Sequence, residues 1–156
     1  MSKIKSLSEL KRELKRSGRH GLKIVFTNGC FDILHLGHID YLERAKKLGD
    51  ILVVGLNSDG SVKKLKGPSR PINSQKARAR MLAALESVDF VTIFNEETPA
   101  KVIKNLCPDV LVKGGDWKPK DIVGSDFVTS AGGRVVSLKF VKGYSTTGLL
   151  KKMASS

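Results

Sequence analysis

The sequence predicts an α/β domain with a five-stranded, doubly wound parallel sheet and helices on both faces. Two observations predict it. Short apolar runs of strand length alternate with segments whose apolar residues recur at helical spacing. Nearly every Gly-rich or basic-polar cluster also falls on the strand-to-helix side of that alternation, which leaves the helix-to-strand connections short. The 156 residues, 40% hydrophobic and 28% charged, contain no low-complexity linker and no internal repeat, and so fit a single domain with an ordinary buried core.

Ser6-Leu-Ser-Glu9 reads as a capping box. Leu7, Leu10 and Leu14 follow at helical spacing with Lys and Arg on the other face, until Ser17-Gly18 stops the helix. This basic helix lies within residues 1–20, ahead of a core spanning 21–153. Leu22 to Thr27 suits a buried strand, and Ile39, Leu42, Ala45 and Leu48 mark a helix ending at Gly49. Ile51 to Leu56 reads as strand, Asn57 to Pro71 as loop, Ser74 to Glu86 as helix, and Phe90 to Phe94 as strand. Pro99 to Leu106 reads as a helix with Thr98 as N-cap and Pro99 at its first position. A short strand Val110 to Val112, a weaker helix Ile122 to Ser130, a strand Val135 to Phe140 and a terminal helix Thr146 to Met153 complete the chain.

Lys and Arg total 28 against 15 acidic residues, a net charge of +13. Such a balance favours polyanions: nucleic acid, an anionic membrane surface or phosphorylated small molecules. Few aromatics interleave with the basic residues, which weakens an RNA-stacking reading. No apolar run approaches the roughly 20 residues that cross a bilayer. The charged start Met-Ser-Lys-Ile-Lys is not a secretory signal. Cys30 and Cys107 form no CxxC pair and are expected to be reduced thiols in a cytoplasmic protein.

In a doubly wound sheet, ligands bind beyond the carboxyl ends of the strands. The first loop there reads Thr27-Asn-Gly-Cys-Phe-Asp32, then Ile33-Leu34, then His35-Leu-Gly-His38 opening a helix. Two histidines three apart share one side of that helix. They stand at its N-terminus, where free N–H groups and the dipole attract anions. Gly29 and Gly37 leave out side chains where a phosphate must approach the backbone. Imidazole N–H groups can donate to phosphate oxygens as charge builds, which is catalysis by positioning and electrostatics without a covalent enzyme intermediate. No third ligand accompanies His35 and His38, so no protein-held metal is expected. Cys30 is read as a packing residue rather than a nucleophile.

The run from Thr27 to His38, followed by Tyr41-Leu42, resembles the HxGH cytidylyltransferase-like nucleotidyltransferases, and the likeness extends from Leu22 to Met153. Asn57-Ser-Asp59, Lys63-Lys-Leu-Lys-Gly67 with Ser69-Arg-Pro71, Val88-Asp89, Lys113-Gly-Gly-Asp-Trp117 and Gly143-Tyr-Ser-Thr-Thr147 are most similar to the family's adenylyltransferases that make ADP-heptose from a heptose 1-phosphate for lipopolysaccharide. The resemblance implies a Rossmann-like fold in which a sugar 1-phosphate attacks the α-phosphate of ATP in line and expels pyrophosphate. It implies catalytic roles for His35, His38 and Lys66. It implies a nucleotide site built from Asn28, Gly29, Cys30, Phe31, Gly37, Arg78, Gly114, Gly115, Asp116, Ser145, Thr146 and Thr147 with the two histidines. The sugar phosphate falls to Asp32, Asn57, Asp59, Lys63, Arg70, Lys113 and Trp117. Mg2+ is implied on the triphosphate, held mainly by phosphate oxygens and water. A cytoplasmic homo-oligomer, a dimer, is implied, with ATP and a sugar 1-phosphate as partners rather than nucleic acid or membrane. The family's larger bifunctional members carry a sugar kinase, so a separate heptose kinase is expected here.

Lys76-Ala77 departs from the acidic or Gln residue that many relatives place before the arginine matching Arg78. Two other functions stand beside the leading one: the same chemistry with CTP and glycerol 3-phosphate or another polyol phosphate, and a nucleic-acid-binding protein on an inactive fold. Phe140-Val-Lys-Gly-Tyr-Ser145 resembles the heptose enzymes, where glycerol-phosphate cytidylyltransferases carry an arginine at the position of Phe140. ATP is therefore expected over CTP.

Overall fold

The structure, a computed structural model, describes residues 2–16, 21–141, 143–144 and 146–155. Its five strands are β1 (Ile24–Gly29), β2 (Ile51–Asn57), β3 (Phe90–Phe94), β4 (Val110–Gly114) and β5 (Arg134–Leu138). They form one parallel sheet in the order β3-β2-β1-β4-β5. The helices are α1 (Leu7–Arg16), α2 (Leu36–Lys46), α3 (Asp59–Lys66), α4 (Gln75–Ala84), α5 (Ala100–Leu106), α6 (Ser125–Ser130) and α7 (Thr146–Ala154).

Because strand side chains alternate between faces, the central strands feed two cores. Val25, Leu52, Val54, Leu56, Val91, Val110 and Val112 face α2 and α4, whose Tyr41, Leu42, Ala45, Ala79 and Leu82 complete one layer. Ile24, Phe26, Val53 and Leu111 face Leu10 and Leu14 of α1, Val102, Ile103 and Leu106 of α5, and Val128 of α6. Burial on both sides explains why these strands read as unbroken apolar runs. The edge of β3 is covered by the start of the chain, where Val91 N donates to Lys3 O at 2.9 Å and Lys5 N to Val91 O at 3.0 Å.

An aspartate stands immediately before each of β2, β3 and β4 and fastens the start of a neighbouring strand. Asp50 Oδ2 accepts from Lys23 N, Asp89 Oδ2 from Leu52 N and Asp109 Oδ2 from Ile24 N, each at 2.7 Å. The N-terminal ends of the strands are thus closed. The chain runs β1 to β2 to β3 in one direction and then places β4 on the other side of β1. That reversal opens a crevice beyond the carboxyl ends of β1 and β4.

Several elements differ from their expected form. The stretch expected as loop between Asn57 and Pro71 contains α3, so Lys63 and Lys66 sit in the last turn of a helix. Ser58 caps it by accepting from Ser61 N at 3.2 Å, and Val62 is its buried anchor. Gly60 and three lysines in eight residues hid that helix from periodicity. Pro99, not Thr98, occupies the N-cap of α5 and makes no side-chain cap bond. The weak helix expected over Ile122 to Ser130 is shortened to α6, with Gly124 at left-handed φ before it and a 3-10 turn, Pro119–Asp121, ahead of the expected start. The expected capping box is present: Ser6 N donates to Glu9 Oε2 at 2.8 Å and Glu9 N to Ser6 Oγ at 3.3 Å.

Asp109→Ala should cost about 1–3 kcal/mol of stability by leaving a buried strand-end N–H unpaired. Urea unfolding measures this. Ligand binding at the far end of the strands should be unchanged.

Candidate active site

A cleft of about 550 Å³ occupies the crevice between the carboxyl ends of β1 and β4. Asn28, Gly29, Cys30, Phe31, Asp32 and His38 line it from β1 and its loop, and Asn57 and Lys66 from β2 and α3. Lys113, Gly114 and Trp117 come from β4 and its loop, and Thr146 from the start of α7. The sheet topology therefore gathers residues expected from four separate segments.

His35 is the N-cap of α2, with extended backbone and no side-chain cap bond, and His38 lies one turn on. Their rings stack with centroids 3.9 Å apart and planes 22° apart. Gly37 makes room for this: a Cβ there would lie 3.1 Å from the His35 ring and 3.1 Å from Tyr144 Cβ. Both Nδ1 atoms are buried without a hydrogen-bond partner among the described residues. Burial pushes His38 down to about 4, assisted by the neighbouring His35 and the positive charge of Lys66, with the Ile33 backbone opposing. Burial lowers His35 as well. Both imidazoles are therefore neutral at pH 7, each with an N–H to donate.

Asp32, though a cleft-lining residue, is only 3% exposed and its carboxylate is occupied. It accepts from Arg70 Nε at 2.6 Å, from Ile72 N at 2.9 Å and from Asn73 N at 2.9 Å. Burial raises its pKa, but the Asn73 and Ile72 amides and the Arg70 guanidinium outweigh burial and hold it below the usual range. Arg78 is fully buried. Its Nη1 donates to Cys30 O at 2.6 Å, Nη2 to Asp59 Oδ1 at 2.8 Å and Nε to Asn73 O at 3.0 Å. It is neither an exposed helix charge nor a cleft-lining group. Arg70, Asp59 and Arg78 thus brace the cleft from behind.

Lys113 is half-buried at the end of β4, and burial lowers its pKa. Asn57 Nδ2 donates to Ser61 Oγ at 2.9 Å, which fixes its amide at the cleft wall. His35, Gly37, Lys63, Gly115, Asp116 and Thr147 lie outside the lining, and Ser145 lies outside the described residues. Phe140, whose place in the sequence favours ATP over CTP, lines the cleft, and Tyr41, Leu65, Glu97, Thr98, Pro99 and Val123 line it without having been expected as site residues. Of these, Tyr41 left a signal, its place just after the histidine motif. Its hydroxyl meets Thr27 Oγ1 at 2.5 Å, and burial pushes its pKa up to about 12.

Residues 26–147 match the model of a family described as cytidylyltransferase-like. This chain belongs to the cytidylyltransferase-like family. It is 52% identical over 155 residues to the bifunctional protein HldE of Citrifermentans bemidjiense, covering 99% of this chain and 32% of that protein. With the bifunctional protein HldE of Campylobacter fetus subsp. fetus it shares 60% identity over 141 residues, 90% of this chain and 30% of the other. The chain spans about a third of the length of these relatives. Among solved structures, the lipopolysaccharide core biosynthesis protein from Thermoplasma volcanium matches with TM-score 0.64 and 31% identity, over 80% of this chain and 100% of that one. The cytidylyltransferase-like match runs from within β1 to the start of α7 and contains every residue that lines the cleft.

The lowered pKa of His38 makes stability depend on pH with a definite sign. An unfolded histidine takes up its proton near pH 6.5, whereas folded His38 does so only near 4. Between those values the unfolded state binds more protons, so stability falls as pH drops through the window and is insensitive to His38 above it. His35 acts in the same direction. The loss in Tm between about pH 7.5 and about pH 5 should therefore be smaller in His38→Gln than in the native chain. An equal loss in both would show that His38 titrates normally.

Proposed function

We propose that this chain is an adenylyltransferase that joins ATP to D-glycero-D-manno-heptose 1-phosphate, giving ADP-heptose and pyrophosphate for the lipopolysaccharide inner core. The observation that carries the proposal is the stacked, neutral His35–His38 pair at the N-terminus of α2, of which His38 lines a cleft that also presents Lys66 and Lys113. The similarity to HldE proteins and to a lipopolysaccharide core biosynthesis protein supports the substrate pair.

A phosphate oxygen of the sugar 1-phosphate bonds to the α-phosphorus as the bond from that phosphorus to the bridging oxygen breaks, and pyrophosphate leaves with the electron pair. With Nδ1 of each histidine buried, Nε2 is the nitrogen left to donate to the α-phosphate oxygens, where negative charge builds. Lys66 adds a mobile cation. The N-terminus of α7, with Thr146 at the cleft, receives the leaving phosphates. Lys113, Trp117 and Asn57 hold the remainder of the substrates.

Asp32 and Asp59 are committed to guanidinium groups. Among the described residues no three His, Cys, Asp or Glu side chains gather around a metal position. That suits Mg2+ carried by triphosphate oxygens and water, where it neutralises charge on the nucleotide. No helix among the described residues is long and apolar enough to cross a membrane. We place the enzyme in the cytoplasm as a homodimer, supplied with sugar 1-phosphate by a kinase reaction.

His38→Ala should lower kcat for pyrophosphate release by roughly 10²–10³, the cost of one lost transition-state donor, while the KM for ATP changes far less. Near-normal turnover would remove His38 from the chemistry. Crossing ATP and CTP with heptose 1-phosphate and glycerol 3-phosphate tests the substrates: ATP with the heptose should be the productive pair. Equal or faster pyrophosphate release from CTP with glycerol 3-phosphate would replace this reading with a cytidylyltransferase.

A further inference from the structure

Phe31 and Cys107 are the two non-glycine residues with positive φ among those described, at 43° and 49°. Cys107 has an evident reason, because it closes α5 in a left-handed C-cap. Phe31 caps nothing. A bulky aromatic in that region is strained, and such strain persists only where the surroundings over-determine it. Here they do: the carbonyl of Cys30 before it is held by Arg78, and the carboxylate of Asp32 after it by Arg70, Ile72 and Asn73.

The strained turn sends the ring inward, where it is 6% exposed. The ring lies over the bare Cα of Gly29, whose Cβ, if present, would be 2.9 Å from Phe31 Cε2. The ring also belongs to the buried cluster under α2 and α4, and it meets His38 edge-on, with ring centroids 5.2 Å apart and planes at 60°. A working histidine is usually oriented through a hydrogen bond from its second nitrogen to a carboxylate or carbonyl. His38 Nδ1 makes no full hydrogen bond; the Ile33 carbonyl bears on the ring only weakly, so ring contacts with His35 and Phe31 share the task of fixing its plane.

We propose that Phe31 is a positioning residue: its left-handed backbone, permitted by Gly29, sets an aromatic edge against His38 and fixes the angle at which the imidazole meets the reacting phosphate. This rests on the adenylyltransferase reading and adds to it how His38 is aimed.

The test is a double-mutant cycle. Phe31→Leu keeps an apolar side chain but removes the ring. It should lower kcat at least about tenfold with the KM for ATP within about threefold, since orientation acts on the transition state. Phe31→Tyr should restore most of the rate. In a His38→Ala background Phe31→Leu should cost nothing further, because residues acting as a unit are non-additive. Gly29→Ala, which crowds the same ring from its other side, should likewise lose its effect on kcat in the His38→Ala background, and serves if Phe31→Leu folds poorly. An unchanged kcat in Phe31→Leu, or an equal loss with and without His38, would overturn the proposal. If the native chain releases no pyrophosphate from any triphosphate, the functional reading fails by itself. The ring contact is then judged by the His38 imidazole resonances in NMR, assigned with His38→Gln. They should shift in Phe31→Leu, and unshifted resonances would overturn the positioning role.

Discussion

A guanidinium sealed from water must find partners for its N–H groups inside the protein, and removing any of them leaves a buried charge exposed to its own desolvation cost. Arg78 is such a group, and its three bonds reach three different segments: Cys30 in the first loop, Asn73 ahead of α4, and Asp59 at the start of α3. Asp32, two residues from Cys30, returns the connection by holding Arg70, Ile72 and Asn73. The loop before α2 and the segment before α4 are thereby joined twice. Lys66 sits on α3, whose start is held by Arg78 through Asp59 and whose end leads into the segment held by Asp32. The position of Lys66 relative to His38 across the cleft is thus tied to two ion pairs, Asp32–Arg70 and Asp59–Arg78, each with one deeply buried partner.

The same arrangement explains how a strongly basic chain keeps neutral histidines at its centre. Burial removes solvent from His38, and each nearby positive charge makes a second one harder to place there. Neutral imidazoles still donate N–H groups while leaving the charge balance to the lysines. Asp32 and Asp59 on the cleft side are both held by arginines, so Lys66 and Lys113 meet a phosphate with those two carboxylates already occupied. Electrostatic preorganisation of this kind needs no movement at the moment of reaction.

The sheet was legible in the sequence because its central strands are buried on both faces: Ile51–Leu56 carries no polar side chain and is bounded by Asp50 and Asn57. The position of the cleft followed from the alternation of elements, and His38, Asn28 and Lys113 stand where that argument put them. Helix α3 was not legible, since its stability comes from one cap and one buried valine rather than from a repeating pattern. Nor was the burial of Arg78, which depends on acceptors 48 residues earlier in the chain. Sequence gives the charge of a residue, but only the fold decides whether that charge faces a ligand or a carboxylate. Phe31 shows the limit most clearly: nothing in its residue type announces a left-handed backbone, which exists because Gly29, Arg78 and Asp32 surround it.

The two ends of the sheet carry opposite electrostatic tasks. At the amino ends, Asp50, Asp89 and Asp109 spend their charge on strand-end N–H groups, and Lys46 joins Asp89 at 2.6 Å. Negative charge is thus held where the strands must be closed. At the carboxyl ends, Asp32 and Asp59 are paired with Arg70 and Arg78, while Glu97 lines the cleft and Asp116 and Asp121 stand exposed in the loop after β4. A parallel sheet imposes the same direction on every strand, so these preferences add along one axis instead of averaging out. A polyphosphate entering from the carboxyl ends of the strands meets Lys66 and Lys113, at the end where the chain reversal has already opened a cleft. Topology and charge select the same address for independent reasons, which leaves the amino ends free to serve stability alone.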